Sequence, residues 1–185
     1  MKSFQKSENI VASGYWISLP QLSKMVKKTL KVLVILIVAA VIVLQFFRID
    51  KANPPVVQAE TLEATTVVSP DISLIIGRSC NDCHSNQTRY PWYSNIQPMA
   101  WMLKNDIDDG RQNLNFSIWS TYAPKRQSKK FEQICDQITS KEMPLPSYLW
   151  IHRGAVLSDT ESKALCDWAK GEQARVDAAI AAAGQ

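Results

Sequence analysis

The pentapeptide Cys80-Asn-Asp-Cys-His84 decides the interpretation of this chain of 185 residues. A C-x-x-C-H string is the attachment signal for a covalently bound c-type haem. On a helical turn the three side chains share one face, because Cys80 lies three residues before Cys83 and four before His84. The two thiols can then add to the haem vinyl groups while the imidazole coordinates the iron. We therefore predict one haem c, held by Cys80, Cys83 and His84.

The same cysteines have other interpretations. A C-x-x-C pair can form half of a zinc site or a thiol redox motif, and two unrelated structural cysteines are a further alternative. The sequence has no second C-x-x-C to complete a zinc ribbon. Export of the cysteines past a membrane anchor favours haem attachment. The segment before the motif supports its placement on a helix, since Ser69 suits an N-cap and Pro70 suits the first helical position. Three apolar residues form a stripe leading into the motif, namely Ile72, Ile75 and Ile76.

An electron-carrying haem iron needs a sixth ligand, and two side chains are suitable. Met143 stands in a Glu-Met-Pro-Leu-Pro segment, and the proline that follows it favours an extended loop. Methionine opposite histidine is the pairing that raises the reduction potential in cytochromes c. His152 is the other histidine of the chain and would give a bis-histidine site of lower potential. An iron without a second protein ligand, with Met143 filling a gap in the core, is the third alternative.

Helical periodicity predicts three more helices around the haem. The first runs from Pro98 to Gly110, which suits a C-terminal cap, and its apolar face comprises Met99, Met102, Leu103 and Ile107. The apolar face of the second comprises Phe131, Ile134, Cys135 and Ile138. The third begins with a capping box at Ser158-Asp-Thr-Glu161, and its inward face comprises Leu165, Cys166, Trp168 and Ala169. We predict a disulfide between Cys135 and Cys166, with two buried free cysteines as the alternative.

The N-terminal part of the chain is strongly apolar between Val32 and Phe47, with lysines before this run and Arg48 after it. This pattern predicts a transmembrane signal anchor with a cytoplasmic N-terminus, and a cleaved signal peptide is the alternative. Met25 is a second possible start of translation. The predicted divisions are a poorly defined extension (1–24), the anchor (25–49), a linker (50–66) and a haem-binding domain (67–185).

The distribution of charge excludes one class of partner. Residues 1–48 carry a net charge of +6, whereas residues 49–185 carry −2. A weakly acidic domain lacks the concentrated basic face that nucleic acid requires, so we expect no nucleic-acid binding. The sequence also contains no nucleophile elbow, no phosphate loop and no evident small-molecule site, so we do not expect an enzyme. The basic run over residues 125–130 is either a docking site for an acidic redox partner or a solvated helix face.

The chain resembles the small bacterial haem-binding domain of the mono-haem cytochrome c type. The resemblance runs from about Phe46 to Trp168 and rests on residues 80–94 (CNDCHSNQTRYPWYS), 110–119, 142–152 and 157–168. It implies an all-α, cytochrome c-like domain exposed to the periplasm, with Cys80 and Cys83 as thioether attachments. It also implies His84 as proximal ligand and Met143 as distal ligand. Members of this family often carry a histidine near the position of Asp106.

Together these features predict a bacterial inner-membrane protein with a single span, whose periplasmic mono-haem domain exchanges single electrons with redox partner proteins. The alternative is a haem-based sensor or small peroxidase-like protein with an open distal site. Arg89 and Arg111 are suitable partners for a haem propionate, because guanidinium pairs with carboxylate in a bidentate manner. Five aromatic residues could line the pocket or fill the core: Tyr90, Trp92, Tyr93, Trp101 and Trp119.

Overall fold

The computed structural model describes residues 19–184, and within this range it contains helices and no strand. The all-α prediction is therefore confirmed for the described residues. The chain divides into two compact units, with the boundary between Phe46 and Phe47. Most of the predicted N-terminal extension over residues 1–24 lies outside the described range.

Among the described residues of the first unit, those from 19 to 44 form a helix, α1, at Leu19–Leu44. Across residues 19–184 no helix combines the length and the apolar character needed to cross a membrane. The predicted transmembrane helix is therefore wrong. Because α1 ends at Leu44, its last 18 residues include Lys27, Lys28 and Lys31. The uninterrupted apolar part that follows these lysines extends only about 20 Å, against a hydrocarbon thickness of about 30 Å.

The second unit begins with a segment that packs onto the core, where the sequence suggested a linker. After a 3-10 helix at Gln58–Glu60, helix α2 occupies Leu62–Thr65, and the Thr61 side chain caps it by accepting a hydrogen bond from Ala64 N. Leu62 is fully buried in the main core. The folded unit therefore includes the residues between Phe47 and the predicted boundary at residue 67.

The C-x-x-C-H motif follows one helix and forms the next. Helix α3 runs over Pro70–Ser79, where Ser69 caps the first turn and Pro70 occupies a first-turn position, as predicted. Its buried face includes the predicted isoleucine stripe at positions 72, 75 and 76. Helix α4 is the single turn Asn81–His84, with Cys80 as its N-cap residue. The motif therefore lies on a helical turn at the end of α3.

Helix α5 spans Met99–Asn113 and continues beyond the predicted cap at Gly110. Its buried residues are Ala100, Leu103, Ile107 and Gly110. Met99 and Met102 are exposed, contrary to expectation, because the buried face lies one position further along the helix. Gly110 belongs to this buried face and does not end the helix.

The last part of the unit forms three helices, α6 at Pro124–Thr139, α7 at Pro146–Leu149 and α8 at Asp159–Ala183. The capping box between Ser158 and Glu161 is present at the start of α8. The predicted disulfide joins Cys135 of α6 to Cys166 of α8, with 4.5 Å between their Cα atoms. Helices α6 and α8 pack along each other, and the disulfide fastens this pair.

The main core lies where α3, α6 and α8 meet the 3-10 helix Phe116–Thr121. The Trp119 ring packs against Phe131 at 4.7 Å between centroids, and Phe131 makes an edge contact with Trp168 at 5.5 Å. Aromatic pairs of this kind stabilise a core by about 0.5–1.5 kcal/mol beyond their buried area. The C-x-x-C-H turn is thus attached to a rigid part of the fold.

Candidate functional site

A cavity of about 510 Å³ opens beside the C-x-x-C-H turn. This size is typical of cofactor and small-molecule sites, which measure about 300–1,000 Å³. Its walls come from helices α3 to α8, the 3-10 helix Phe116–Thr121 and the loop between α6 and α7. Four of the predicted site residues line it together, namely Cys80, Cys83, His84 and Met143. The fold therefore brings residues distant in sequence around one space.

The His84 imidazole is held in one orientation by two backbone carbonyl groups. Its Nδ1 lies 3.1 Å from Gly110 O and 3.0 Å from Leu114 O, so Nδ1–H donates to both oxygens. Burial lowers the pKa of His84, against the effect of these two hydrogen bonds, and favours the neutral ring. A neutral imidazole protonated at Nδ1 has its lone pair on Nε2, as a metal ligand requires.

Gly110 allows α5 to approach this turn closely. A Cβ atom at this position would lie 2.7 Å from Cys83 O and 3.1 Å from Cys83 Cβ. Any side chain here would push α5 away from α4 and would move the carbonyl that orients His84. The glycine is thus required by the contact between two helices.

Neither cysteine of the motif takes part in a disulfide. Burial, followed by the charge of the other cysteine, raises the pKa of Cys80 to about 12. Burial, followed by the negative charge of Asp106, raises the pKa of Cys83 to about 12. Burial therefore favours the protonated form of both thiols. Within residues 19–184, no group of three or more His, Cys, Asp or Glu side chains could hold a metal ion.

The turn after α6 directs Met143 into the cavity wall. Lys141 adopts a left-handed conformation with φ of 60°. The backbone N–H groups of Glu142 and Met143 both donate to Gln137 O, at 3.0 and 3.1 Å. Met143 lies in a loop, as the proline that follows it predicted, and its side chain is half-buried. The turn therefore closes the α6 end and presents the thioether to the cavity.

The comparison with known families decides between the interpretations of this cavity. A family model described as a haem-binding domain matches residues 39–171. The chain belongs to this haem-binding domain family. A search of curated proteins and a search of solved structures gave no match.

The cavity of this haem-binding domain fits its cofactor by the chemistry of its donors. A neutral imidazole fixed through Nδ1 is suited to bind iron through Nε2, and much of the cavity lining is apolar. The apolar lining comes from Ile76, Leu114, Phe116, Ile134, Ile138, Leu145, Leu165 and Trp168. A thioether ligand such as that of Met143 also suits haem iron. The residues present thus agree with haem binding.

The alternative distal ligand, His152, does not line the cavity of the haem-binding domain. Its Nε2 lies 3.0 Å from the hydroxyl of Tyr93, and its ring stacks on Tyr148 at 4.0 Å between centroids. Tyr148 lines the cavity, and its hydroxyl donates to Asp82 Oδ2 at 2.9 Å. His152 therefore lies outside the cavity and packs against Tyr148, which lines it.

The structure also separates the other predicted pocket residues from the cavity. Arg89 forms an ion pair with Asp82 at 3.2 Å, and Arg111 binds Ser85 O at 2.8 Å; neither arginine lines the cavity. None of the five predicted aromatic residues lines it either. The aromatic rings that do so are those of Phe116, Tyr148 and Trp168. For Trp168 the sequence gives a signal, because it lies three residues after the buried Leu165 on the same face of α8.

Proposed function

We propose that this haem-binding domain is a mono-haem c-type cytochrome that carries single electrons. The observation that carries the proposal is the shared cavity lined by Cys80, Cys83, His84 and Met143. The two cysteines would attach the cofactor by thioether bonds, in which sulfur adds to one vinyl carbon and the thiol hydrogen adds to the other. His84 would be the proximal ligand and Met143 the distal ligand.

The haem would supply the one-electron couple, and the protein would hold its iron and its surroundings fixed. His84 is restrained by two carbonyl groups, which limits ring rotation and raises the basicity of the ligand nitrogen. The Met143 loop is restrained by its two bonds to Gln137 O. The apolar walls would exclude water from the metal, and a dry site with a methionine ligand favours a higher reduction potential.

We also propose that the domain works in the periplasm with protein redox partners and without nucleic acid or a small-molecule substrate. Its disulfide between Cys135 and Cys166 supports an oxidising compartment. The negative net charge of residues 49–185 supports the absence of nucleic acid. A fusion of the domain to a reporter that is active only after export tests this location, and a reporter active only in the cytoplasm would contradict it.

Mass spectrometry of the purified full chain tests the covalent attachment. We expect the mass to rise by one haem, and the Cys80→Ser/Cys83→Ser double variant should carry no covalent pigment. A wild-type chain without the added mass, from a host that matures c-type cytochromes, would refute the proposal.

Absorption spectroscopy tests the distal ligand and separates a carrier from a sensor or peroxidase-like protein. Ferric haem with methionine ligation shows a weak band at the red end of the spectrum, and Met143→Ala should abolish it. His152→Ala is the matched control and should keep the band, because His152 lies behind the wall. Rapid binding of carbon monoxide by the unaltered ferrous protein would instead indicate an open distal site.

A further inference from the structure

The face of α6 toward the cavity divides into a polar row and an apolar row. Lys130, Gln133 and Gln137 follow one another at spacings of three and four residues and all line the cavity. Ile134 and Ile138 lie next to them and line it as well. Since residues three or four positions apart are neighbours on a helix, the polar side chains form a continuous edge of the haem site.

Lys130 is the single Lys or Arg in the cavity wall as the structure describes it. Its Nζ donates to Gln133 Oε1 at 2.8 Å, and none of the ion pairs among the described residues includes it. Burial, followed by the charges of Arg126 and Lys129, lowers the pKa of Lys130. A half-buried ammonium group without a carboxylate partner is costly, and this cost falls when an anion binds beside it.

The wall formed by α5 has the opposite charge. Asp106 and Asp109 line the cavity, and burial, followed by the charge of Asp109, raises the pKa of Asp106. A further carboxylate on this side would meet like charges. An anionic group in the cavity is therefore favoured near α6 and disfavoured near α5.

Haem carries two vinyl groups on one side of its macrocycle and two propionates on the other. Cysteines 80 and 83 would take the vinyl side, so a cation in another part of the wall would be a favourable neighbour for a propionate. We infer that Lys130, held in place by Gln133, donates a hydrogen bond to a haem propionate. The Gln133 oxygen that accepts from Lys130 leaves the amide N–H groups of Gln133 available as additional donors. This inference rests on haem binding and extends the proposed function to the orientation of the cofactor.

Infrared difference spectra between the ferrous and ferric forms of the full-length haem protein test this inference through the propionate carboxylate bands. Lys130→Gln should shift these bands. The midpoint potential should fall, because removal of a nearby positive charge stabilises the ferric form relative to the ferrous form. Lys129→Gln is the matched control, because it removes the same charge from a neighbouring residue outside the cavity wall. The control should leave the propionate bands in place.

A conservative pair of variants keeps the test valid if Lys130→Gln fails to fold. Lys130→Arg keeps the charge and should shift the propionate bands with little change in potential, whereas Lys129→Arg should shift neither. Propionate bands that match the wild type in Lys130→Gln, or in Lys130→Arg if only that variant folds, would overturn the inference, even if the potential changes.

The outcome is separable from that of the proposed function. Covalent haem in the mass spectrum with unmoved propionate bands would remove the role of Lys130 and leave the c-type cytochrome. Haem that binds without covalent attachment would refute the c-type proposal, and shifted bands in such a protein would still support the role of Lys130.

Discussion

Substitution of Gly110 by alanine should separate the requirement for close helix contact from ordinary helix propensity. The added Cβ would lie 2.7 Å from Cys83 O. This distance is about 0.6 Å below the lower end of normal C···O contacts, near 3.3 Å. Both atoms belong to helical backbone or are attached to it directly, so α5 and α4 must separate. Overpacking of this kind costs about 1–3 kcal/mol.

A second glycine provides the control. Gly171 lies inside α8, and a Cβ there would meet no atom within 4 Å. Gly171→Ala should stabilise the chain by about 1 kcal/mol, which is the helix propensity difference between the two residues. Gly110→Ala has the same propensity gain, so the difference between the two variants isolates the cost of the contact. We expect Gly110→Ala to be less stable than Gly171→Ala by about 1–3 kcal/mol.

Thermal and urea unfolding of the purified haem-loaded chains measures this difference. At about 2–4 °C per kcal/mol for a chain of this size, the melting temperatures should differ by about 2–12 °C. Displacement of the Gly110 carbonyl should also loosen His84, so the Gly110→Ala preparation should contain less covalent haem than Gly171→Ala. Equal melting temperatures with equal haem content would refute the reasoning that Gly110 is required by the helix contact.

Three more predictions concern the surroundings of the site. Replacing Cys135 and Cys166 together by serine should lower the free energy of unfolding by about 3–4 kcal/mol in urea titrations, given a sequence separation of 31 residues. Hydrogen bonds from the N-cap serine hold the pKa of Glu161 below its usual value. The ionised Glu161 therefore stabilises the folded chain above about pH 4.3, and this stabilisation is lost in more acid solution. Glu161→Gln should therefore be less stable than wild type at pH 7, and in urea titrations this difference should shrink as the pH is lowered below about 4.3. Tyr148→Phe removes the bond to Asp82 and should cost about 1–2 kcal/mol while keeping the red absorption band; loss of that band would contradict a supporting role for the tyrosine.

The sequence was sufficient for features that depend on neighbouring residues. The N-cap Ser69, the capping box that starts α8 and the turn that carries His84 each involve residues within four positions of one another. The disulfide was also predictable, because Cys135 and Cys166 both lie on apolar helix faces. Local spacing determines the caps and the turn, whereas the disulfide also requires α6 to pack against α8.

Features that depend on contact between distant segments were predicted poorly. Gly110 fits the composition of a helix cap, but its role comes from Cys83 on another helix. Leu62 lies in a segment with little periodicity, and only the tertiary structure shows that it is fully buried. The end of α1 at Leu44 likewise determines how much of the apolar run is helical, and composition alone does not indicate that position.

The proposed partner of the haem propionate illustrates the same division at the level of charge. Arg89 and Arg111 lie close in sequence to the motif and to Gly110, and both had the right chemistry for a propionate. The fold uses them elsewhere, since Arg89 pairs with Asp82 and Arg111 binds backbone and amide oxygens. Lys130 was part of a basic run that suggested a docking surface, yet it lines the cavity with two glutamines of its own helix. A carboxylate pairs with the cation that lies nearest in space, and distance in sequence from the motif does not indicate which cation that is. The sequence does show that Lys130, Gln133 and Gln137 share one face of α6, because they are spaced three and four residues apart.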